Sequence, residues 1–520
     1  MTVTSVIVVG AGLSGLCAAD LLSKEGITVT VLEANDRVGG RLHTLQDSKC
    51  GYVDVGGAYI GPTQDRMFRL MKELKVKTYD VPDIPECIYS FDGKTHRVKD
   101  FDSAKLGSSF LNFLDANNFY RKMDKLCSEV PMNAPWLAKN ATRWDRMTLA
   151  EWQKEILWTK ATSREADVFS RVNFAADPHE VSLLWALWYV RGAGGTQRID
   201  YIKGGAQEKK VIGGTQQIPK KIADSLGSNV HLEEPVTHID YSDDVVTVTT
   251  ANGNTYTADH IILALAPSLQ RRIIFKPNLP PHRAQLNQRV PMGSCIKTMM
   301  YYNVQYWMEK GLGGFAYVID EDPFVAPVEL ALDDTKPDGS YPAIIGFVPG
   351  CKVSQLSHLT TDERKRLIAD EYARVYGIEA MKHPVHYVEK NWSEEPWSGG
   401  CYVGHMGPGV MTTVGRYIRE PIAQIHFAGT EAATEWPGYM EGAVESGERA
   451  AREILHAMGK IRADEVYQSE PPAEGVNVPD LGITLIRRLL PSVGGMLSLF
   501  LGGFAVAMAT AVGVHRGLWY

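Results

Sequence analysis

The chain has 520 residues, more than one hydrophobic core normally serves, so two or three domains are expected. Its 44% hydrophobic and 22% charged residues are typical of a globular protein and argue against a disordered one. A net charge of -7 argues against a nucleic-acid-binding protein, which needs a basic surface. The 7 cysteines are widely spaced without a C-x-x-C pair, so we predict a reducing compartment, no disulfide framework and no metal site.

The N-terminal stretch predicts a strand, a helix and a second strand, with no basic region of a signal peptide before them. Residues 3–9 are almost all β-branched, as in a buried parallel strand, and a second strand over residues 27–32 leads to Glu33. Between them, residues 10–15 have the G-x-G-x-x-G pattern. In this context the pattern indicates a dinucleotide site, where glycines admit the pyrophosphate at a helix N-terminus and Glu33 binds the ribose. The same carboxylate would repel a 2′-phosphate, which argues against NADP.

Two further glycine pairs follow, within residues 36–41 and 54–59. They predict backbone that packs close to a long ligand. Arg37 and Arg41 flank the first pair and can form charge-assisted hydrogen bonds with phosphates. A site for nicotinamide alone does not need this second segment.

The middle of the chain changes character twice. Residues 82–203 are rich in tryptophan at helical spacing, which predicts a helical insertion whose tryptophans form core rather than a ligand platform. A strand-rich stretch then starts at residue 291, and Lys297 lies in it among apolar residues. A lysine is costly in such a strand unless it is paired. Lys297 therefore either belongs to a site or lies on the wet face of the strand.

The C-terminal run of residues 489–514 contains no charged side chain. At ~1.5 Å per residue its 26 residues reach ~39 Å as a helix, enough to cross a hydrocarbon core of ~30 Å. Arg487 and Arg488 precede it, and Arg516 follows. We predict a single membrane-spanning anchor with the bulk of the chain facing the cytosol, and the alternative is a core helix.

Several motifs together resemble those of a known family. They are the G-x-G-x-x-G turn, an R-x-G-G-R extension at residues 37–41, and the Ser-Gly-Gly-Cys-Tyr turn at residues 398–402. Residues 427–431 and 439–443 complete the set. With the C-terminal run, the chain resembles the monoamine oxidases of the flavin-containing amine oxidase family. The resemblance implies FAD and an α/β (mixed α+β) fold. A Rossmann-like FAD-binding domain would join a mixed-sheet and helical substrate domain and a C-terminal transmembrane helix.

The resemblance also implies domain boundaries. Residues 1–81, 204–290 and 389–460 would form the FAD-binding domain. Residues 82–203, largely helical, and the strand-rich residues 291–388 would form the substrate domain. Residues 461–488 would be an extended segment on the surface, followed by the anchor at 489–514.

Roles for single residues follow from the resemblance. Cys401 would carry FAD through a thioether, and the glycines before it would let backbone pass close to the flavin ring. Catalysis would involve Tyr402 and Tyr439, whose rings sandwich the amine, and Lys297, which holds a water beside the flavin. The remaining FAD contacts would be Gly10, Gly12, Ser14, Gly15, Glu33, Arg37, Gly39, Gly40, Arg41, Gly56, Gly57, Ala58, Tyr59, Val236, Trp392, Gly429, Thr430, Glu431 and Met440. The substrate would contact Phe169, Val172, Asn173, Ile199, Asp200, Gln207, Leu330 and Phe347.

The substrate cavity implied in this way is closer to the A-type than to the B-type enzymes, because of Leu330 and Asn173. Asp200 fits neither type, since both have a bulky apolar side chain there. One hypothesis is that Asp200 makes the entrance polar and accommodates substrates with a distal positive or hydroxyl group. The other is that Ile199 is the gate and Asp200 is solvated.

The implied activity is oxidative deamination of primary, and some secondary or tertiary, arylalkyl or biogenic amines. O₂ would be reduced to hydrogen peroxide, with aldehyde and ammonia as products. The resemblance also implies a homodimer at the mitochondrial outer membrane, with the endoplasmic reticulum as the alternative location. Polyamine or L-amino-acid oxidation on the same fold, and a non-catalytic binding protein of this nucleotide fold, are the competing hypotheses.

Overall fold

The computed structural model describes residues 4–82, 86–99 and 109–498. Its first domain is built around a five-stranded parallel sheet, here called the nucleotide sheet. Its strands are buried on both faces, which explains their nearly continuous Val and Ile content. In spatial order the strands are Val230–His231, Thr28–Leu32, Ser5–Val9, His260–Leu263 and Ile425–Phe427.

Two helices from opposite ends of the chain pack together on the nucleotide sheet. They are Leu13–Lys24, which follows the fingerprint turn, and Met440–Ala457. Their backbones approach closely at Gly447, where a Cβ would lie 2.1 Å from the carbonyl oxygen of Ser14. Glycine at this position therefore lets the C-terminal helix approach the fingerprint.

The second domain contains a seven-stranded sheet, here called the substrate sheet. In spatial order its strands are His386–Asn391, Cys295–Tyr301, Ala343–Pro349, Leu330–Asp333, Ala316–Ile319, Cys87–Phe91 and Lys94–Val98. The strand Cys295–Tyr301 lies between two antiparallel neighbours, which place Phe347 and Lys390 opposite Lys297. Because this strand is fully buried, Lys297 does not lie on a wet face.

The remaining described strands form three smaller sheets. One contains Thr255–Ala258, Val246–Thr250, Val236–Asp240 and Ile274–Lys276 in that order. The others are the pair Thr44–Asp47 with Gly51–Asp54 and the triplet Tyr59–Ile60, Lys209–Val211 and Thr78–Asp80.

Helices cover the region that the tryptophan pattern predicted to be helical. The side chains of Trp144, Trp152, Trp185 and Trp188 are buried in one cluster, which agrees with a core role, whereas Trp158 is exposed. The helices there are Phe110–Ser128, Ala141–Arg146, Leu149–Ile156, Lys160–Phe174, Leu183–Gly192 and Thr196–Asp200. The other described α-helices are Asp65–Glu73, Gln217–Leu226, Pro267–Gln270, Pro281–Gln288, Tyr306–Glu309, Cys351–Gln355, Thr361–Tyr376, Val410–Thr413 and Leu485–Leu489. Short 3₁₀ helices occur at Pro135–Leu137, Gly227–Asn229, Glu379–Lys382, Trp392–Glu394, Gly415–Ile418, Thr430–Ala432 and Ala463–Glu465.

Two predicted boundaries differ from the structure. The boundary at residue 389 falls inside the strand His386–Asn391, which belongs to the substrate sheet because it pairs with Cys295–Tyr301. The segment 461–488 was predicted to be extended, yet the helix Leu485–Leu489 begins within it, with the Thr484 side chain accepting a hydrogen bond from the backbone of Arg487. That helix ends at Leu489 because Leu490 precedes a proline and takes an extended conformation.

The predicted anchor over residues 489–514 lies largely outside the described residues, which end at 498. Within the described part of the chain, no helix is both long and apolar enough to cross a membrane. The prediction of a transmembrane helix therefore stays a prediction.

The contact at Gly447 gives a stability prediction. Gly447→Ala should lower the free energy of unfolding by about 1–3 kcal/mol, because the added Cβ meets rigid backbone at Ser14. Gly415→Ala is the control, since the nearest atom to its Cβ would be in the flexible Met411 side chain, at 3.3 Å. Urea unfolding measures both variants, and equal stabilities would show that the two helices can move apart without penalty.

Candidate active site

A cavity of about 320 Å³ brings together segments that are far apart in the sequence. It is lined by the fingerprint turn, the R-x-G-G-R segment, the substrate sheet and the Ser-Gly-Gly-Cys-Tyr turn. The predicted residues that line it are Gly10, Gly12, Ser14, Glu33, Gly39, Gly40, Arg41, Gly56, Gly57, Ala58, Tyr59, Val172, Asn173, Asp200, Gln207, Val236, Lys297, Leu330, Phe347, Trp392, Cys401, Tyr402, Gly429, Thr430, Tyr439 and Met440. Five predicted residues do not line it: Gly15, Arg37, Phe169, Ile199 and Glu431.

The fingerprint end of the cavity is shaped for a dinucleotide. The helix Leu13–Lys24 starts at Gly12 without a side-chain cap, so its first N–H groups face the cavity free of a side-chain acceptor. A Cβ on Gly12 would meet no atom within 4 Å, which leaves room for phosphates. Glu33 is held by the backbone N–H groups of Ala11 at 2.7 Å and Asn35 at 2.9 Å. Burial raises the pKa of Glu33, and these hydrogen bonds oppose the shift.

Two of the predicted residues that do not line the cavity instead contact the backbone of the segments that do. Gly15 packs against the fingerprint backbone, where a Cβ would lie 2.0 Å from the carbonyl oxygen of Gly10. Arg37 donates to the carbonyl oxygens of Gly40 at 3.0 Å and Leu42 at 3.3 Å, so its guanidinium braces the glycine turn from outside the cavity. The expected contact between Arg37 and a phosphate stays a prediction.

Arg41 connects the glycine turn to the far side of the cavity. It forms a bidentate ion pair with Glu431 at 2.7 and 3.0 Å and donates to the carbonyl oxygen of Tyr402 at 2.8 Å. Burial alone would raise the pKa of Glu431, but Arg41 reverses this and the net shift is downward. Glu431 therefore acts beneath the cavity wall as an anion that positions Arg41.

Lys297 enters the cavity from the substrate sheet. Its Nζ donates to the carbonyl oxygen of Gly56 at 2.6 Å and lies 5.9 Å and 5.7 Å from the ring centres of Tyr59 and Phe347. Burial, with a further contribution from the nearby cation Lys210, lowers the pKa of Lys297 to about 8. The prediction that Lys297 belongs to a site agrees with this placement, and a neutral amine is accessible to it near physiological pH.

The Ser-Gly-Gly-Cys-Tyr turn packs against the start of the strand that carries Lys297. Cys401 is buried, and burial together with the adjacent Cys295 raises the pKa of its thiol. The Cys295 sulfur also lies 3.6 Å from the Tyr402 hydroxyl. A Cβ on Gly400 would lie 2.3 Å from the carbonyl oxygen of Gly293, so this glycine serves backbone packing in addition to any approach to a flavin.

Two tyrosines from different segments line the same cavity. Tyr402 contacts Phe347 edge to face, with ring centres 6.3 Å apart. Tyr439 immediately precedes the helix Met440–Ala457, and its ring packs against Trp436 at 4.9 Å and Tyr189 at 6.1 Å. Aromatic neighbours fix each ring, so both can present a face to an apolar or weakly polar ligand.

The structure places Asp200 and Ile199 in different surroundings. Asp200 lines the cavity together with Val172 and Asn173. Ile199 is instead fully buried in the helical core, as is Phe169. Because the short helix Thr196–Asp200 turns Ile199 into the core, this placement favours the hypothesis of a polar cavity wall at Asp200.

Several lining residues were not predicted. Tyr189 lies on a helix whose many aromatic residues gave only a core signal, although it contacts Tyr439. Cys295 and Tyr317 lie on substrate-sheet strands and line the cavity, and Arg272 and Trp397 line it near the Cys401 turn. Cys295 could have been found from its position two residues before Lys297, since alternate residues of a strand share a face.

Comparison with known proteins identifies the family. Residues 13–455 match the family described as flavin containing amine oxidoreductase. The chain is 48% identical over 509 residues to a flavin-containing amine oxidase from Danio rerio, which covers 98% of this chain and 97% of the relative. The chain belongs to the flavin-containing amine oxidoreductase family.

Two further relatives of this amine oxidase come from Bos taurus. Flavin-containing amine oxidase B is 48% identical over 517 residues, covering 99% of this chain and 98% of the relative. Flavin-containing amine oxidase A is 46% identical over 503 residues, covering 97% and 94%. Because the two identities are so close, overall similarity does not assign the amine oxidase to the A or B type.

Solved structures agree with the sequence relatives. Cyclohexylamine oxidase from Brevibacterium oxydans IH-35A has a TM-score of 0.83 and 33% identity, covering 88% of this chain and 99% of that one. A putrescine oxidase bound to putrescine has a TM-score of 0.82 and 29% identity, covering 87% and 99%. The predicted mixed α/β fold with an FAD domain is confirmed, and the protein is an FAD-dependent amine oxidase.

The environment of Lys297 predicts a pH-dependent stability. The pKa of Lys297 is about 8 in the folded chain and 10.5 in the unfolded chain. Between these two pH values Lys297 is protonated in the unfolded chain and neutral in the folded chain, so the free energy of unfolding rises with pH. Lys297→Met removes this titration. From pH 8 to 10.5, we expect wild type to gain about 3 kcal/mol of unfolding free energy relative to the variant.

Urea unfolding at a series of pH values measures this difference. Lys122→Met is the control, because Lys122 is exposed on the surface and its difference from wild type should not change with pH. A pH-independent difference for Lys297→Met would show that Lys297 titrates normally in the folded protein.

Proposed function

We propose that this amine oxidase deaminates primary, and some secondary or tertiary, arylalkyl or biogenic amines, with FAD attached covalently through Cys401. The observation that carries the proposal is the shared cavity of Cys401, the Tyr402 and Tyr439 rings, Lys297 and the dinucleotide turn. When bound, FAD would supply the redox chemistry by which a hydride equivalent leaves the amine and two electrons reach O₂ as hydrogen peroxide, and water would hydrolyse the resulting imine to aldehyde and ammonia.

The protein residues select the neutral form of the amine. The pocket near Lys297 and the tyrosines is apolar, with Phe347, Leu330 and Val172 on its walls. A desolvated pocket disfavours an ammonium ion and favours the free base, which has the lone pair that oxidation requires. Tyr402 and Tyr439 would hold that nitrogen between their rings, and the Lys297 amine would hold a water beside the flavin.

Oxidation of an L-amino acid is a weaker candidate. Such a substrate needs a free cation for its carboxylate. Among the described lining residues the cations are Arg41, Arg272 and Lys297. Arg41 is paired with Glu431, Arg272 donates to the carbonyl oxygen of Pro396 and lies over Trp397, and Lys297 donates to Gly56.

The covalent link to Cys401 can be tested directly. After acid precipitation, wild-type protein should retain flavin absorbance in the pellet, whereas Cys401→Ala should release all flavin into the supernatant. Cys295→Ala is a matched control, because Cys295 is the neighbouring buried thiol in the same cavity. Flavin retained by Cys401→Ala would contradict the assignment, and retention lost in Cys295→Ala alone would move the link to Cys295.

We also propose that the uncharged run of residues 489–514 anchors a homodimer in the mitochondrial outer membrane, with the catalytic domains in the cytosol. The support is the length of the run, its basic flanks and the family resemblance. The endoplasmic reticulum remains the alternative. Sedimentation of detergent-solubilised enzyme tests the dimer, and a monomer there would contradict it.

The membrane proposal predicts a sharp effect of one charge. Val506→Arg should shift the enzyme from the carbonate-resistant membrane pellet to the supernatant, because arginine at mid-membrane costs about 2.5–3.5 kcal/mol. Val506→Leu is the matched control and should stay in the pellet. Fractionation of cells and protease treatment of intact mitochondria give location and orientation, and a soluble wild type would contradict the anchor.

A further inference from the structure

A carboxylate faces the cavity of this amine oxidase where its walls are otherwise largely apolar. Asp200 ends the short helix Thr196–Asp200 and lines the cavity. The start of that helix is fixed by Asp124, which accepts hydrogen bonds from the backbone N–H of Thr196 at 2.9 Å and from its hydroxyl at 3.0 Å. The position of Asp200 is therefore set by the fold and does not depend on a mobile loop tip.

Asn173 orients the Asp200 carboxylate. Its amide nitrogen donates to Asp200 Oδ1 at 2.8 Å and to the carbonyl oxygen of Phe169 at 3.0 Å. Asn173 is itself buried and also lines the cavity. This hydrogen bond holds the Asp200 carboxylate in one orientation on the cavity wall.

Asp200 lies within electrostatic range of the ring that would bind the reacting nitrogen. Burial raises the pKa of Tyr439 and Tyr317, and the negative charge of Asp200 adds to both shifts. Tyr317 lines the cavity as well. One continuous space therefore joins an aromatic end at Tyr402 and Tyr439 to an anionic wall at Asp200.

We propose that the Asp200 carboxylate, oriented by Asn173, binds a second ammonium group at the end of the substrate distal to the oxidised nitrogen. The enzyme would then prefer α,ω-diamines to monoamines of the same length. This inference rests on the proposed function, because it assumes that the reacting nitrogen lies between Tyr402 and Tyr439.

The two ends of the cavity treat a diamine differently. The aromatic end favours a neutral nitrogen, whereas the anionic wall favours a protonated one. A charge-assisted hydrogen bond to Asp200 in a partly desolvated cavity binds more strongly than a neutral one. A diamine with one protonated and one free nitrogen satisfies both ends, provided that its chain spans the distance between them.

The test compares α,ω-diaminoalkanes of increasing chain length with the monoamines of matched length, using hydrogen peroxide release as the assay. In wild type, at the optimal length, kcat/KM for the diamine should exceed that for the monoamine by about 10-fold or more. Asp200→Asn should reduce this ratio by about 10–100-fold, mainly by raising KM for the diamine. Glu420→Gln is the control for loss of a surface charge and should leave the ratio unchanged.

The outcomes separate the two proposals. If wild type oxidises neither these amines nor phenethylamine, the proposed function fails. If it oxidises phenethylamine but none of the diamines, only the role of Asp200 fails. If wild type oxidises monoamines as well as diamines at every length, the role of Asp200 fails without any variant being needed. An unchanged ratio in Asp200→Asn with a normal flavin spectrum also overturns it, and shows that Asp200 only supports Asn173 and the cavity wall.

Discussion

The ion pair between Arg41 and Glu431 is the interaction on which the site depends. It joins the R-x-G-G-R segment to the loop after the last strand of the nucleotide sheet, and Arg41 also holds the carbonyl oxygen of Tyr402. Three segments that are distant in the sequence therefore meet at one guanidinium. Because Glu431 is buried, removing either partner would leave an uncompensated charge, which typically costs about 3–5 kcal/mol. The same guanidinium that joins these segments of the FAD-binding domain holds the Cys401 turn in position.

Lys297, unlike Arg41, is a buried cation without a carboxylate as its hydrogen-bond partner. Its Nζ donates to a carbonyl oxygen instead. Burial lowers its pKa, and the nearby cation Lys210 adds to the shift while itself being paired with Asp334. A neutral amine at this position can accept as well as donate a hydrogen bond, which an ammonium ion cannot. The fold therefore gives up stability to bring the neutral form of Lys297 within reach of physiological pH, and groups with perturbed pKa values tend to occur at functional sites.

Much of this architecture could be predicted because the relevant signals are local. The fingerprint turn, the buried strand before it and the Cys401 turn depend on neighbouring residues, and all three line the cavity. The outward direction of Arg37, the core position of Ile199 and the membership of residues 386–391 in the substrate sheet depend on tertiary packing instead. The local sequence could not reveal these three features. Each depends on a contact with another part of the fold or on the direction in which a short helix ends.

Asp200 shows how the same fold could change its substrate without changing its chemistry. The catalytic end of the cavity is built from Lys297, Tyr402 and Tyr439, which lie on the substrate sheet, the Cys401 turn and the start of a nucleotide-domain helix. Asp200 comes from the separate helical region and contacts Asn173 there. A substitution at residue 200 therefore alters the charge of the cavity wall while leaving the elements that hold the flavin and the reacting nitrogen in place. Specificity can therefore diverge in the helical region while the redox site is kept.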